Sequence, residues 1–188
     1  MSTNDLATRD LKRRIFKVGF VLLIAVLILG GAIFTALVRN GISLYAISGN
    51  SMEPTFSDKD SVILQQADKI GKDQVIFFDQ PNKWNDYVKN DHILVKRVIA
   101  VPGDVLSFDG TSFSVNDEEI FNVKDNEYEC SSAPKDYSYE LSNKEIFVMG
   151  DNHSNSLDSR RIFCDGDVED AFVPVQSVRN YGEVIFEF

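Results

Sequence analysis

The chain has 188 residues, 44% of them hydrophobic, and a formal net charge of −10. That length allows one sizeable globular core with an accessory segment and excludes several large domains. From Asn40 onward 13 Lys and Arg face 27 Asp and Glu, a balance of −14 with no basic stripe, which excludes nucleic acid as a partner because phosphate backbones demand a cationic surface.

Residues 1–17 form a basic tip containing Arg9, Lys12, Arg13, Arg14 and Lys17. Val18 to Val38 then run for 21 residues without a charge, and about 20 apolar residues of helix cross the hydrocarbon core of a bilayer. Only Arg39 follows closely, so the positive-inside rule predicts a cytoplasmic N-terminus, a transmembrane signal anchor at 18–38 and an extracytoplasmic domain at 39–188. A cleaved signal peptide is the competing reading, since Ala32, Ala36 and Ala46 supply small residues. Its apolar core, however, is usually only about 7 to 15 residues.

Beyond the anchor, the apolar Leu44 to Ile47 leads into Ser48-Gly49-Asn50-Ser51-Met52-Glu53-Pro54-Thr55. Gly49 permits unusual backbone angles and Pro54 restricts its predecessor, so Ser51 sits in a constrained turn. It reads either as a local hydrogen-bonding serine or as a nucleophile, and a nucleophile needs a base to take its proton. His92 and His153 are the two histidines; lysine is the other option.

Runs of Val, Ile and Phe between Gly, Asn, Asp and Pro predict strands at Ser61 to Leu64, Gln74 to Phe78, Ile93 to Val101, Val105 to Phe108 and Ser112 to Val115. Asp109-Gly110 signals a hairpin closed by a tight primed turn. Further strands are expected at Glu145 to Met149 and Glu183 to Phe188. Asp79 to Asp91 and Asn122 to Ser142 read as loops or insertions, and Asp165 to Val178 as holding a short helix or turn.

Lys96 lies among Ile93-Leu94-Val95-Lys96-Arg97-Val98-Ile99, and strand alternation puts it on the apolar face of Leu94 and Val98. Desolvation there lowers a lysine pKa and leaves an amine able to accept a serine proton; a lysine snorkelling from a sheet edge is the plainer alternative. Arg97 faces the other way and keeps its charge, so it needs carboxylates. Gly150-Asp151-Asn152-His153-Ser154-Asn155-Ser156-Leu157-Asp158-Ser159-Arg160 supplies them: Asp151 or Asp158 can neutralise Arg97 or Arg160, and Ser156 can orient an amine. The spacing lacks the terminal glutamate of a calcium loop. Cys130 and Cys164 lack the close pairing of a zinc site, so no metal is expected; one disulfide and two free thiols both fit.

Taken together, SGNSMEPTF at Ser48 to Phe56, VKRVIAVPGD at Val95 to Asp104 and GDNHSNSLDSR at Gly150 to Arg160 resemble bacterial signal peptidase I. The resemblance implies a mainly β fold, an antiparallel β-sheet signal-peptidase-like catalytic domain preceded by one N-terminal transmembrane helix. It implies a serine endopeptidase in which Ser51 is the nucleophile, Lys96 the general base and later acid, and Ser156 the residue orienting Lys96. The Ser51 backbone amide would serve the oxyanion hole, and Arg97, Asp151, Asp158 and Arg160 would form a supporting ionic network. Some members add a serine hydroxyl two positions before the nucleophile; Gly49 stands there, leaving Ser48 and Asn50 without a clear oxyanion role.

The resemblance also implies exported preproteins as substrates, with small residues one and three positions before the cut, and a phospholipid membrane as the other partner; no cofactor is required. Met52 is a candidate substrate contact. A specialised pilin or conjugation-protein maturase would share this chemistry. An inactive membrane-tethered assembly protein would share only the fold, and a self-cleaving Ser-Lys repressor would need a DNA-binding segment where the anchor stands.

Overall fold

The protein is described by a computed structural model covering residues 3–39, 41–86, 93–126 and 129–187. His92 and the end of the loop expected at Asp79 to Asp91 lie outside the described residues. The chain divides into two compact units, Met1–Ile42 and Ser43–Phe188.

The first unit is essentially one helix, α1 (Thr3–Arg39). It starts well before the expected anchor because the basic tip is also made of good helix formers, Leu, Ala, Arg and Lys. Its stretch Arg13–Leu37 is 25 residues of apolar helix, about 37 Å at the usual rise, long enough to span a bilayer. Phe16, Leu22, Leu29 and Phe34 are all exposed, so the apolar surface runs round the whole helix rather than along one stripe, as a lipid-facing helix requires.

The second unit is built from β1 (Ile42–Ala46), β2 (Ser61–Gln66), β3 (Val75–Asp79), β4 (Ile93–Ala100), β5 (Val105–Phe108), β6 (Ser112–Val115), β7 (Glu118–Asn122), β8 (Tyr137–Glu140), β9 (Glu145–Met149), α2 (Ser159–Cys164), β10 (Val173–Pro174) and β11 (Val178–Glu187). Seven strands form one sheet in the order β1-β2-β11-β3-β4-β9-β10, and four form a second in the order β7-β6-β5-β8. The pairings described are antiparallel, as the mainly β expectation required.

Two apolar clusters hold this unit together. The larger joins Ile76, Phe78 and Val98 to the second sheet, centred on Phe113, whose ring meets Phe108 at 4.5 Å, Phe163 at 5.1 Å and Phe147 at 6.0 Å. The smaller gathers Ile47, Met52, Phe56, Val62, Leu64, Val75, Phe77 and Val95. Met52 and Phe56 both follow Ser51 in sequence, and burying each is worth about 2 kcal/mol; they bolt that turn to the sheet.

Several local expectations change. Asp109-Gly110 does join a hairpin, but only Gly110 has positive φ, at 92°, and Phe108 pairs with Phe113. The hairpin closes across Asp109 and Ser112, where Asp109 N donates to Ser112 O at 3.3 Å, so the linking residues are Gly110 and Thr111 rather than Asp109 and Gly110. Asp109 Oδ1 tightens the turn by accepting from Thr111 N and Ser112 N, both at 2.7 Å. The primed geometry lies instead at Asn116 and Asp117, with φ of 52° and 67°, between the paired Val115 and Glu118. The segment Asn122 to Ser142 contains β8, paired to β5, whose Tyr137-Ser138-Tyr139-Glu140 has none of the Val, Ile or Phe that marked the other short strands. Within Asp79 to Asp91, Asn82–Asp86 is a 3₁₀ turn carrying the fully buried Trp84, whose Nε1 donates to Asp170 O at 2.7 Å.

Asp165 to Val178 does hold turns, two of them 3₁₀, together with β10, and a further short helix precedes it: α2 starts at Ser159 because Asp158 caps it, accepting from Arg160 N. Cys164 ends α2 and is disulfide-bonded to Cys130, which resolves the open question of their state.

Candidate active site

Three segments converge beside the start of β4. The first is the turn after β1. Ile47 N donates to Asp60 O at 2.7 Å and Lys59 N to Ile47 O at 3.0 Å, fixing where β1 gives way to the turn. Gly49 has φ of 86°, a left-handed conformation that a side chain would strain, and its N–H donates to Asp58 Oδ1 at 2.8 Å. Glu53 N donates to Asn50 O at 3.2 Å and Phe56 N to Met52 O at 2.9 Å. These bonds and the buried Met52 and Phe56 present Ser51 on a fixed support.

β4 brings the second component. Pairing with β3 sets Ile76 opposite Lys96, and pairing with β9 sets Arg97 opposite Met149. Lys96 is only 3% exposed. Its Nζ lies 2.7 Å from Ser51 Oγ and donates to Val95 O at 2.9 Å. Burial pushes the amine pKa down to about 8; the negative charge of Asp158 works against that shift and the positive charge of Arg160 with it. An amine in this environment is neutral at mildly alkaline pH and is within reach of the hydroxyl proton.

The third component is the loop from β9 to α2. Arg97 donates to Asp151 through Nε at 2.9 Å and Nη2 at 2.6 Å, and through Nη1 to Asp73 O at 2.8 Å. Burial alone would raise the Asp151 pKa, but its bonds with Arg97 and Thr55 hold it below the ordinary carboxylate value. Asp158 and Arg160 form a second pair, 3.1 Å and 2.5 Å apart, with neither side chain exposed. Asp158 Oδ2 also accepts from Gly150 N at 2.9 Å, and the Arg160 guanidinium lies 4.4 Å from the centre of the Phe121 ring. The four charged residues expected to act together thus form two ion pairs, one on each side of the loop.

Ser156 reaches the same place by a different route. Its side chain packs against Gly150 at a spot where the Ser51 carbonyl also comes close, so that a Cβ on Gly150 would collide with both. Its buried hydroxyl makes no hydrogen bond among the described residues, Lys96 included. His153 stands edge-on to Phe121 at 5.2 Å, and no hydrogen bond joins it to Ser51. Met52, expected as a substrate contact, has no exposed surface and packs in the smaller apolar cluster. Ser48, Gly49 and Asn50 are exposed.

Sequence reasoning assigned no role to Asp58, Gly150 or Asn152. Gly150 is needed for space, and its signal was its position between an apolar strand and the Asp-Asn pair. Asn152 N donates to Ser51 O at 3.1 Å and Asn152 Nδ2 to Asn50 O, 102 positions away, at 3.0 Å, contacts that no local pattern announces.

Known proteins are similar to this chain. Signal peptidase I U of Bacillus subtilis is 29% identical over 127 residues, 62% of this chain and 64% of that protein, so the chain spans just under two thirds of that relative. Signal peptidase IB of Staphylococcus aureus is 30% identical over 165 residues, 77% of this chain and 76% of that protein. A solved signal peptidase I from Enterococcus faecalis has a TM-score of 0.39 and 21% identity over 63% of this chain and 97% of that one, a likeness too low to carry an argument. A family model for signal peptidase, peptidase S26, matches residues 13–187. The Ser51 turn, the Lys96 strand and the loop that backs them all fall inside that span, and the chain belongs to the signal peptidase family.

Proposed function

We propose that the protein is a membrane-bound serine endopeptidase that removes N-terminal signal peptides from exported preproteins through a Ser51–Lys96 dyad. The observation that carries this reading is the 2.7 Å approach of Lys96 Nζ to Ser51 Oγ by an amine that is almost fully buried. A lysine held there for stability alone would be poorly placed, since burying an amine without a carboxylate partner is unfavourable.

In this mechanism neutral Lys96 takes the Ser51 proton as Oγ attacks the carbonyl before the scissile bond. The resulting oxyanion is met by the Ser51 backbone N–H. The tetrahedral species collapses to an acyl-enzyme, and the Lys96 ammonium gives its proton to the departing amine of the mature protein. Water, deprotonated by Lys96, then attacks the ester and releases the signal peptide, returning the proton to Ser51. Ser156 orients the lysine amine, a role supported by its buried, unengaged hydroxyl beside the Ser51 turn. Arg97–Asp151 and Asp158–Arg160 hold the loop that backs the turn.

The basic tip and the apolar helix support a cytoplasmic N-terminus at 1–17, a span at 18–38 and a catalytic domain facing outward at 39–188. Preproteins carrying small residues one and three positions before the cut are the proposed substrates. Purified full-length protein in detergent or vesicles should cut such a preprotein at that site. Ser51→Ala and Lys96→Ala should each reduce turnover to a small residue of the wild-type rate while the domain stays folded; undiminished cleavage by either variant would contradict the dyad.

A further inference from the structure

Two consecutive carbonyls of the Ser51 turn are held by one residue from the opposite loop. Asn152 Nδ2 donates to Asn50 O at 3.0 Å, and Asn152 N donates to Ser51 O at 3.1 Å. The Asn50 oxygen and the Ser51 N–H belong to a single trans peptide unit, the cis bond of this turn being Glu53-Pro54. A planar trans unit points its C=O and N–H in opposite directions. Holding the oxygen therefore aims the N–H.

That N–H is free for chemistry. The Gly49 N–H is taken by Asp58 and the Glu53 N–H by Asn50, whereas the Ser51 N–H donates to no group among the described residues. A hydrogen bond accepted by the Asn50 oxygen also polarises the attached N–H, because bonded amides strengthen one another. Glu53 N bonds the same oxygen at 3.2 Å, but it belongs to the turn and moves with it. Asn152 ties the unit to an independent element. The Asn152 amide is itself oriented: Ser154 Oγ donates to Asn152 Oδ1 at 3.2 Å, which turns the nitrogen toward Asn50.

We infer that Asn152 is a positioning residue for the oxyanion donor, its side-chain amide aiming the Ser51 N–H at the oxygen of the carbonyl under attack. The inference rests on the Ser51–Lys96 peptidase reading. A misaimed donor matters little to a neutral carbonyl and much to an oxyanion, so the loss should fall on kcat and leave KM alone. Lys96 is not involved, so the pH inflection should stay where it is.

The test is preprotein cleavage by full-length wild type, Asn152→Ala and the near-isosteric Asn152→Leu, with Tm measured alongside. Each variant should lose about tenfold to hundredfold in kcat, a fraction of the loss on removing a whole oxyanion donor, with KM within about twofold and the pH inflection unmoved. A peptide aldehyde supplies the second readout. Ser51 Oγ adds to its carbonyl carbon, the C=O π bond opens onto oxygen and the Ser51 proton passes to Lys96, giving a hemiacetal oxyanion. Its affinity should fall by the same factor as kcat, while an uncleavable peptide that stays in its ground state binds as before. A kcat within twofold of wild type, or a loss shared equally by the aldehyde and the ground-state peptide, would overturn the inference. Wild-type protein that cleaves nothing overturns the dyad reading itself, a result separable from a variant effect.

Discussion

Gly150 lies so close behind Ser51 that a methyl group on its Cα would run into the Ser51 carbonyl oxygen, while its own N–H is held by Asp158 at 2.9 Å. The Ser51 turn thus rests on a backbone that is itself tied to a buried ion pair. Neither side of this contact can give way cheaply, because one is main chain and the other is anchored in the core.

Gly150→Ala should therefore displace the Ser51 turn while leaving the fold intact. Overpacking of this kind costs about 1–3 kcal/mol of stability, and a displacement near 1 Å at a reacting group costs about a hundredfold in rate. Turnover of a preprotein, with circular dichroism to confirm folding, checks this. Adding Ser156→Ala should not restore activity, since the Ser51 carbonyl still stands in the way; a Gly150→Ala enzyme within twofold of wild type would refute the contact.

Lys96 should cost the protein stability. Its pKa falls from 10.5 to about 8 on folding, chiefly by burial, so between those values the unfolded chain binds a proton that the folded chain does not. Stability then rises with pH through that window. Lys96→Met, which keeps the volume and removes the charge, should raise Tm at pH 7 by an amount corresponding to at most about 3 kcal/mol, and the advantage should vanish above about pH 10.5. Thermal unfolding of both proteins across this range measures it, and a destabilised variant at pH 7 would contradict the burial argument.

The Cys130–Cys164 bond joins residues 34 positions apart and fastens the end of α2, the helix that begins with the Asp158 cap. A closed loop of that size stabilises by about 3–4 kcal/mol in the chain-entropy account. Cys130→Ser with Cys164→Ser should lower Tm by several degrees, about what such an energy implies for a domain of this size, with a smaller effect on turnover below the transition. Scanning calorimetry with and without the pair of substitutions decides the point; an unchanged Tm would show that the bond adds nothing.

What the sequence revealed follows from how local each signal is. The strand around Lys96 was legible because its apolar run is long and regularly alternating, and the charged residues of the third motif were legible because Arg97 cannot discard its charge. β7 escaped notice because Glu118 and Glu119 open it with two carboxylates, and β8 because Tyr137-Ser138-Tyr139-Glu140 has none of the Val, Ile or Phe that marked the other short strands. The burial of Met52 in the smaller core was not legible, because adjacency to Ser51 along the chain does not say which side of a turn faces solvent. The approach of Lys96 to Ser51 and of Asn152 to Asn50 depends on pairings between distant strands and loops, so each residue alone looked ordinary.

The dependence of preprotein cleavage on pH tests the dyad most directly. For the wild-type enzyme kcat/KM reports the ionisation of the free enzyme, and a buried Lys96 acting as base predicts activity that rises with pH through an inflection near 8, absent from the residual turnover of Lys96→Ala. An inflection near 10.4, the value of an exposed lysine, or one that persists unchanged in Lys96→Ala, would contradict the assignment of Lys96 as the base that activates Ser51.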